Sequence, residues 1–352
     1  MRVTIKDVAR EAGVSKATVS KYLNNAPYVS EHTRQLIEAA IRKLDFQPNS
    51  TARGLRNHRS HCIGVIVASI LNPFYPQLIQ GIEDVATARG YALLLASSDG
   101  DARQEHQIVQ AMRQRQVEGI IFASVRLTDR EVLKLKRMHT HVILASRHLP
   151  DAPVDYVIVD SYKGAYLAVE HLLMHGHRRI AHIGGPENIA QFADRMRGYS
   201  KALEDAGLDV DPTLVIRGGL RLEDGELAFR QLMALANPPT AIFAATDNLA
   251  FGVLRAARAS GCLIPEQLAL VGFDNVPFSD IAAPPLTTVD GNALGIGRHA
   301  ASLLIDRIES AQGSSTAESD HTAAPDPMHL LFEPQLLIRQ SCGCQTTEQI
   351  RR

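Results

Sequence analysis

Thr4-Ile5-Lys6-Asp7-Val8-Ala9-Arg10-Glu11-Ala12-Gly13-Val14-Ser15-Lys16-Ala17-Thr18-Val19-Ser20 is the stretch whose reading decides this chain. Thr4 and Asp7 have capping-box spacing, with Asp in place of the usual Glu, and Val8, Ala9 and Ala12 recur at helical intervals. The pattern predicts a helix over about residues 5–12. Gly13 and Val14 break it, and Ser15 is an N-cap for a second helix that carries Val19 and Leu23 on one side. Ala9, Gly13 and Val19 are the small crossing residue, the permissive turn residue and the buried β-branched residue that a helix-turn-helix needs. A third helix follows Ser30, with Ile37, Ala40, Ile41 and Leu44 at the 3.6 period, and stops before Pro48.

In such a unit the second helix enters the major groove and its first side chains reach base edges. The positions turned away from Val19 and Leu23 are Lys16, Ala17, Ser20 and Lys21. Lys16, Ala17 and Lys21 are therefore expected to read bases, and Ser15, Thr18, Ser20 and Asn24 to contact phosphates. Thr4, Ile5, Tyr28, Ser30 and Thr33 complete the expected DNA face. A lone lysine on a helix surface is more often merely solvated; the complete pattern around Lys16 is what tips the reading.

Composition agrees with a two-part molecule. The chain has 352 residues, 45% hydrophobic and 21% charged, which suits a globular protein of two or three folded units. No apolar run reaches the roughly 18 residues of a membrane span, and the first residues lack an apolar h-region, so a cytoplasmic protein without membrane contact is expected. Four cysteines, Cys62, Cys262, Cys342 and Cys344, are too few and too unevenly spaced for a disulfide framework. The net charge of -1 hides an asymmetry: residues 1–60 hold eleven Lys/Arg against five acids, and the remainder holds 26 basic and 33 acidic residues. A basic head on an acidic body points to a polyanion-binding module joined to something that does not touch the polyanion.

The quoted stretch, continued through Val29-Ser30-Glu31-His32-Thr33-Arg34 and Phe46-Gln47-Pro48-Asn49, closely resembles the head of the LacI/GalR family of bacterial transcriptional regulators. The resemblance implies a head over 1–48 and a hinge helix over 49–60 that folds in the minor groove when two subunits meet on an operator. Asn49, Ala52 and Leu55 match that hinge, with Leu55 where the family's leucine wedge opens the central base step. Lys21 departs from the Arg often found at its position, and gives up the bidentate fork of a guanidinium.

From Cys62 onward short apolar runs alternate with helical stretches. They are Ile63–Val67, Ala92–Leu95, Gly119–Phe122, Val142–Leu144, Tyr156–Val159, Ile180–Ile183, Ala241–Ala244 and Leu268–Phe273. Strands separated by helices imply parallel sheets with helices on both faces, and ligands bind such sheets beyond the carboxyl ends of the strands. The resemblance implies a two-lobed, periplasmic-binding-protein-like α/β core over 61–345. One lobe would hold about 61–160 and 291–328, the other about 161–290 and 329–345. Crossovers would fall near Asp160-Ser161, near Asp290-Gly291 and before Leu330, with effector in the cleft. Polar and aromatic residues after strand ends are the candidates to line it: Asn72, Phe74, Tyr75, Asp99, Arg147 and Asp160 in one lobe, Arg195, Asp247 and Asp274 in the other. The family's equivalents of Arg195 and Asp274 hold hydroxyls or ring nitrogens of the effector. Guanidinium and carboxylate groups around an aromatic face suit a polyhydroxylated ligand, because each unsatisfied hydroxyl in a closed cleft costs about 1–3 kcal/mol.

Other patterns carry less. Gly295-Ile296-Gly297-Arg298-His299-Ala300 fits a dinucleotide-binding GxGxxA, but it lies within a helical run over 292–308 instead of a strand-to-helix turn. His171 and His175 are spaced i, i+4 with His177 beyond, and no Glu supplies a metalloprotease base; a structural role is expected for them. The two thiols of Cys342-Gly343-Cys344 do not fill a tetrahedral site, so no metal and no cofactor is expected. Nucleophile-elbow and P-loop patterns are absent, and residues 310–329 read as a polar surface insertion. The chain thus reads as a homodimeric repressor of operator DNA controlled by a small polar metabolite, sugar-like by first choice. A nucleobase- or nucleoside-responsive co-repressed regulator is the alternative, and a cytosolic α/β enzyme stands behind both.

Overall fold

The computed structural model describes residues 3–23, 28–46, 60–123, 132, 134–136, 140–149, 152–313 and 326–344. Two compact units, Met1–Ser60 and His61–Arg352, make up the chain. In the first, α1 (Ile5–Glu11), α2 (Lys16–Leu23) and α3 (Glu31–Lys43) surround a small core of Val8, Ala9, Ala12, Val19, Ile37, Ala40 and Phe46. Each helix starts on a side-chain cap. The Thr4 amide and hydroxyl both donate to Asp7 Oδ2, at 3.0 and 2.7 Å, the Thr18 amide donates to Ser15 Oγ at 3.0 Å, and the Thr33 amide to Ser30 Oγ at 3.3 Å. Each such cap supplies about 1 kcal/mol, a large share for so small a core. Gly13 turns the chain between α1 and α2 at φ +66, a backbone conformation that costs a glycine little.

The second unit contains two sheets of the same design. The first joins β1 (Cys62–Val67), β2 (Ala92–Ser97), β3 (Gly119–Ala123), β4 (His141–Ala145), β5 (Asp155–Val159) and β11 (His329–Phe332) in the order β2-β1-β3-β4-β5-β11. The second joins β6 (Ile180–Gly184), β7 (Val215–Arg217), β8 (Ala241–Ala244), β9 (Ala269–Asp274), β10 (Thr287–Asp290) and β12 (Gln335–Leu337) in the order β7-β6-β8-β9-β10-β12. All neighbours pair parallel except β12, which runs antiparallel to β10. Central strands such as β3 and β9 are buried along their whole length, which is why they read as unbroken apolar runs: helices cover both faces.

The chain crosses between lobes three times. Two crossovers follow β5 and β10. The third lies at Glu333-Pro334, beyond the expected boundary before Leu330, because β11 pairs in parallel with β5 and so places 329–332 in the first lobe. Four-residue strands at the edge of a sheet have too little apolar pattern to announce which sheet they join. The segment expected to be an insertion from 310 onward is shortened from both ends, by a helix that runs on to Gly313 and by β11.

Helices pack on these sheets in close pairs: α4 (Phe74–Ala88) with α10 (Ala293–Gly313), α6 (Ser161–Met174) with α7 (Ala190–Asp205), and α8 (Leu222–Met233) with α9 (Asp247–Ser260). α5 (Ala102–Gln114) lies on the first sheet. A glycine sits at each close approach. A Cβ at Gly297 would overlap the Leu78 carbonyl oxygen, and one at Gly252 the Leu222 carbonyl oxygen. The GxGxxA run therefore lies in the first two turns of α10, and its second glycine lets α10 meet α4 backbone to backbone.

Candidate DNA-binding face and inter-lobe cleft

On the head, Lys16, Ala17 and Lys21 are exposed on the side of α2 opposite the buried Val19. Tyr28 is 90% exposed, an unusual placement for an aromatic ring of no structural use. Ser15, Thr18, Ser30 and Thr33 also lie at the surface or partly so, and they share capping bonds: Ser15 Oγ and Thr18 Oγ1 are 2.8 Å apart, as are Ser30 Oγ and Thr33 Oγ1. Their hydroxyls thus stand at helix N-termini, where free amides and the helix dipole favour a phosphate. Ser20 is half-buried. Ile5 is half-buried and packs on the head core, and Thr4 caps α1. Asn24, Asn49, Ala52 and Leu55, with the rest of the expected hinge up to residue 59, lie outside the described residues.

In the core, the carboxyl end of β9 and the first half of α7 bring Asp274 and Arg195 together, with their side chains only 6% and 4% exposed. Arg195 NH2 donates to Asp274 Oδ1 at 3.5 Å, Nε donates to Ser161 Oγ at 3.4 Å, and NH1 donates to the Ala245 carbonyl at the end of β8. Its guanidinium lies over the Phe273 ring at 3.5 Å. Burial raises the Asp274 carboxyl to about 8 although Arg195 opposes it, with the nearby Asp247 charge adding to the rise. Burial likewise lowers the Arg195 value, with Asp274 and Asp247 opposing. Asp274 also has φ 116 and is followed by Asn275 at φ 53. A non-glycine residue held there is strained, and such strain concentrates at functional sites.

The first lobe faces this pair with Phe74, Tyr75 and Arg147, all buried. Phe74 and Tyr75 stack edge to face at 5.4 Å, and a Cβ on Gly291 would touch both the Asp274 backbone at 3.2 Å and the Phe74 ring at 3.5 Å. The Tyr75 phenol is raised first by burial, then by the charge of Asp274 across the cleft, while Arg147 and Arg195 pull it down. Two contacts bridge the lobes at the rim: Gln77 Nε2 donates to the Asn275 carbonyl at 3.5 Å, and His148 Nε2 lies 3.8 Å from Asp194 Oδ2.

Four expected cleft residues do something else first. Asp247 is fully buried at the start of α9, and its carboxylate is already occupied within the second lobe. Oδ2 accepts from the Val276 amide at 3.0 Å and Ser279 Oγ at 2.5 Å, and Oδ1 accepts from Thr288 Oγ1 at 2.5 Å. Asp247 therefore anchors the loop after Asp274, and burial raises its carboxyl to about 6 against those three bonds. Asn72 Oδ1 accepts the Phe74 amide at 3.0 Å, Asp160 caps α6 by accepting the Lys163 amide at 2.8 Å, and Asp99 is exposed after β2. Three residues that the sequence reading passed over belong beside the pair: Phe273 under the guanidinium, Ser161 at its Nε and Phe192 at 5.4 Å. Phe273 was within reach, as the last apolar residue of a strand that ends in Asp274.

Comparison with known proteins turns this arrangement into an identification. Residues 4–49 match the model of the bacterial regulatory proteins of the lacI family, and residues 60–329 match that of periplasmic binding proteins and the sugar-binding domain of the LacI family. The chain belongs to the LacI family. This LacI-family chain is 38% identical to catabolite control protein A of Priestia megaterium over 305 residues, 86% of this chain and 92% of that protein. Among solved structures it is similar to the transcriptional regulator CelR in complex with cellobiose, with 31% identity, a TM-score of 0.71, and coverage of 97% of this chain and 100% of that one. It is also similar to the lac repressor dimer bound to operator and the anti-inducer ONPF, with 26% identity, a TM-score of 0.83, and coverage of 97% and 99%. As a LacI-family member it is a DNA-binding transcriptional regulator with a helix-turn-helix head and a two-lobed effector-binding core. Among the described residues no helix is long and apolar enough to cross a membrane.

Proposed function

We propose that this regulator is a homodimeric repressor whose operator affinity is set by a sugar or sugar derivative held between the lobes. It carries out no catalysis. The observation that carries the reading is the buried Arg195–Asp274 pair, braced by Phe273, Ser161 and the Ala245 carbonyl and facing Phe74, Tyr75 and Arg147 across the cleft. A carboxyl held near 8 keeps its proton at neutral pH, so it donates one hydrogen bond and accepts another, while the fixed guanidinium donates only. Hydroxyls, which are donor and acceptor at once, satisfy both partners. With all of these residues buried, a ligand enters only when the lobes part, so binding and lobe angle are one equilibrium.

Lys16, Ala17 and Lys21 take base edges in this scheme. Thr4, Ser15, Thr18, Ser20, Asn24, Tyr28, Ser30 and Thr33 take phosphates, with Ile5 supporting them from the head core. The segment 49–60 acts as a hinge between the head at 1–48 and the core at 61–345, with Asn49, Ala52 and Leu55 in the minor groove. Two heads on a dimer meet major-groove faces about 34 Å apart, which requires a near-palindromic operator. The test is a thermal-shift panel of sugars, sugar acids, sugar phosphates, nucleosides and nucleobases on wild type and Asp274→Ala. A ligand at 100 times its dissociation constant adds about 2.7 kcal/mol to stability. A sugar-class hit lost in the variant supports the reading; a hit confined to nucleobases or nucleosides overturns the sugar assignment.

A further inference from the structure

We propose that His171, His175 and Cys344 form a binding site for a divalent ion of the zinc class, with water as the fourth ligand, that pins the C-terminal segment of the chain to α6. The site is separate from the effector cleft. Ser161, at the start of α6, touches Arg195, whereas His171 is in the last turn of that 14-residue helix, about 15 Å further along its axis.

One ring nitrogen from each histidine and the Cys344 sulfur all lie within 4.8 Å of one another, and Cys344 Sγ is 3.0 Å from His171 Nε2. Zinc held tetrahedrally at about 2.0–2.1 Å from nitrogen and about 2.3 Å from sulfur separates its ligands by roughly 3.3–3.6 Å. The observed spacing straddles that value, so closing on an ion takes side-chain adjustment of about 1 Å and no backbone change. The spacing also has a sequence logic. His171 and His175 stand one helical turn apart, while the turn at Gly343, with φ +76 and its amide donating to the Gln340 carbonyl at 3.2 Å, carries Cys344 back onto them.

Two further features fit a metal site. His175 Nδ1 lies 2.7 Å from the His171 carbonyl, which can only accept, so Nδ1 carries the proton and Nε2 keeps the lone pair. Donation of the second ring N–H to a backbone carbonyl is how metal-binding histidines are usually oriented. The burial is also graded: His171 is buried, Cys344 is half-buried and His175 is exposed, so an ion has a path from solvent. A thiolate with two imidazoles is a borderline-to-soft donor set, which selects zinc-class ions over magnesium or calcium. Cys342 is not counted as a ligand. It is 2% exposed and its sulfur accepts from Thr287 Oγ1 at 3.2 Å, which leaves the fourth position to water.

The test uses the full chain, stripped with a chelator, desalted and kept reduced by a phosphine, and titrated with Co²⁺ as a spectroscopic stand-in. The wild type is expected to bind one equivalent with a thiolate-to-metal charge-transfer band and the visible bands of a four-coordinate site, and Zn²⁺ should displace it and raise the melting temperature. Cys344→Ser should lose the charge-transfer band. His175→Gln, at an exposed position that does not threaten folding, should weaken Co²⁺ binding more than about 100-fold, beyond the roughly 10–100-fold that loss of a mere orienting partner costs a metal site. A wild type that binds no stoichiometric Co²⁺, or a charge-transfer band that survives Cys344→Ser, would overturn the proposal.

Discussion

Replacing Asp274 by Asn keeps the shape of the side chain and removes its ability to ionise. In the native protein the Asp274 carboxyl is held near 8, whereas in the unfolded chain it titrates in the ordinary range near 3.8. The folded state therefore keeps a proton that the unfolded state releases across that interval. The stability this contributes is complete below about pH 4 and is lost as pH rises through about 8. Each pH unit in the window is worth about 1.4 kcal/mol, which sets a ceiling of about 5–6 kcal/mol, and relaxation around a buried group reduces this to an expected 2–3 kcal/mol. Asparagine has no such slope. Urea unfolding of wild type and Asp274→Asn at pH 5 and pH 8 should thus show the variant gaining on wild type by about 2–3 kcal/mol as pH rises. The Asp247 carboxyl, raised to about 6, titrates in both proteins and largely cancels in the comparison. If instead Asp274 were an ionised partner of Arg195, the variant would leave a buried guanidinium unpaired and lose about 3–5 kcal/mol at pH 8. Parallel pH profiles, or a variant that falls behind at pH 8, would refute the reasoning.

Lys16→Ala should relax discrimination at one base pair of each half-site by about 1–3 kcal/mol while ligand-induced thermal shifts stay as in wild type, read by competition with single-base operator variants. Asp247→Ala removes the acceptor of three buried donors, Val276 N, Ser279 Oγ and Thr288 Oγ1, and should cost at least about 3 kcal/mol, seen as a melting temperature several degrees lower. Gly252→Ala forces a methyl into the Leu222 carbonyl oxygen and should destabilise the core by about 1–3 kcal/mol in urea unfolding, whereas Gly90→Ala, at φ +74 with open space around it, should cost about 1 kcal/mol from backbone strain alone.

The head was legible almost to the residue, because caps, a turn glycine and a helical apolar stripe are local signals. Thr4, Ser15 and Ser30 each cap the helix that the sequence assigns to them. Eight strands, all those described except β7, β10, β11 and β12, were legible for the same reason, as apolar runs of three to six residues. What stayed hidden depends on contacts distant in sequence. β11 and β12 are short edge strands whose sheet is chosen by partners at β5 and β10, more than a hundred and about fifty residues earlier, which displaced the third crossover to Glu333-Pro334. Asp247 and Asp274 look alike in sequence, each an acid at a strand end followed by Asn. Only the positions of Ser279 and Thr288 show that one carboxylate is occupied within its own lobe while the other faces the cleft. The grouping of Cys344 with His171 is of the same kind, joining residues 173 apart.

The central claim is that one small molecule in the cleft controls how the two heads hold DNA. Its most direct test is the affinity of the full-length chain for a near-palindromic operator selected from a random pool, measured by fluorescence anisotropy with and without the compound found in the thermal-shift panel. The account predicts a change of about 5-fold or more in operator affinity for wild type, as expected for coupling of 1–3 kcal/mol, and none for Asp274→Ala. A compound that binds the wild-type cleft, is lost in the variant, and yet leaves operator affinity unchanged would contradict it.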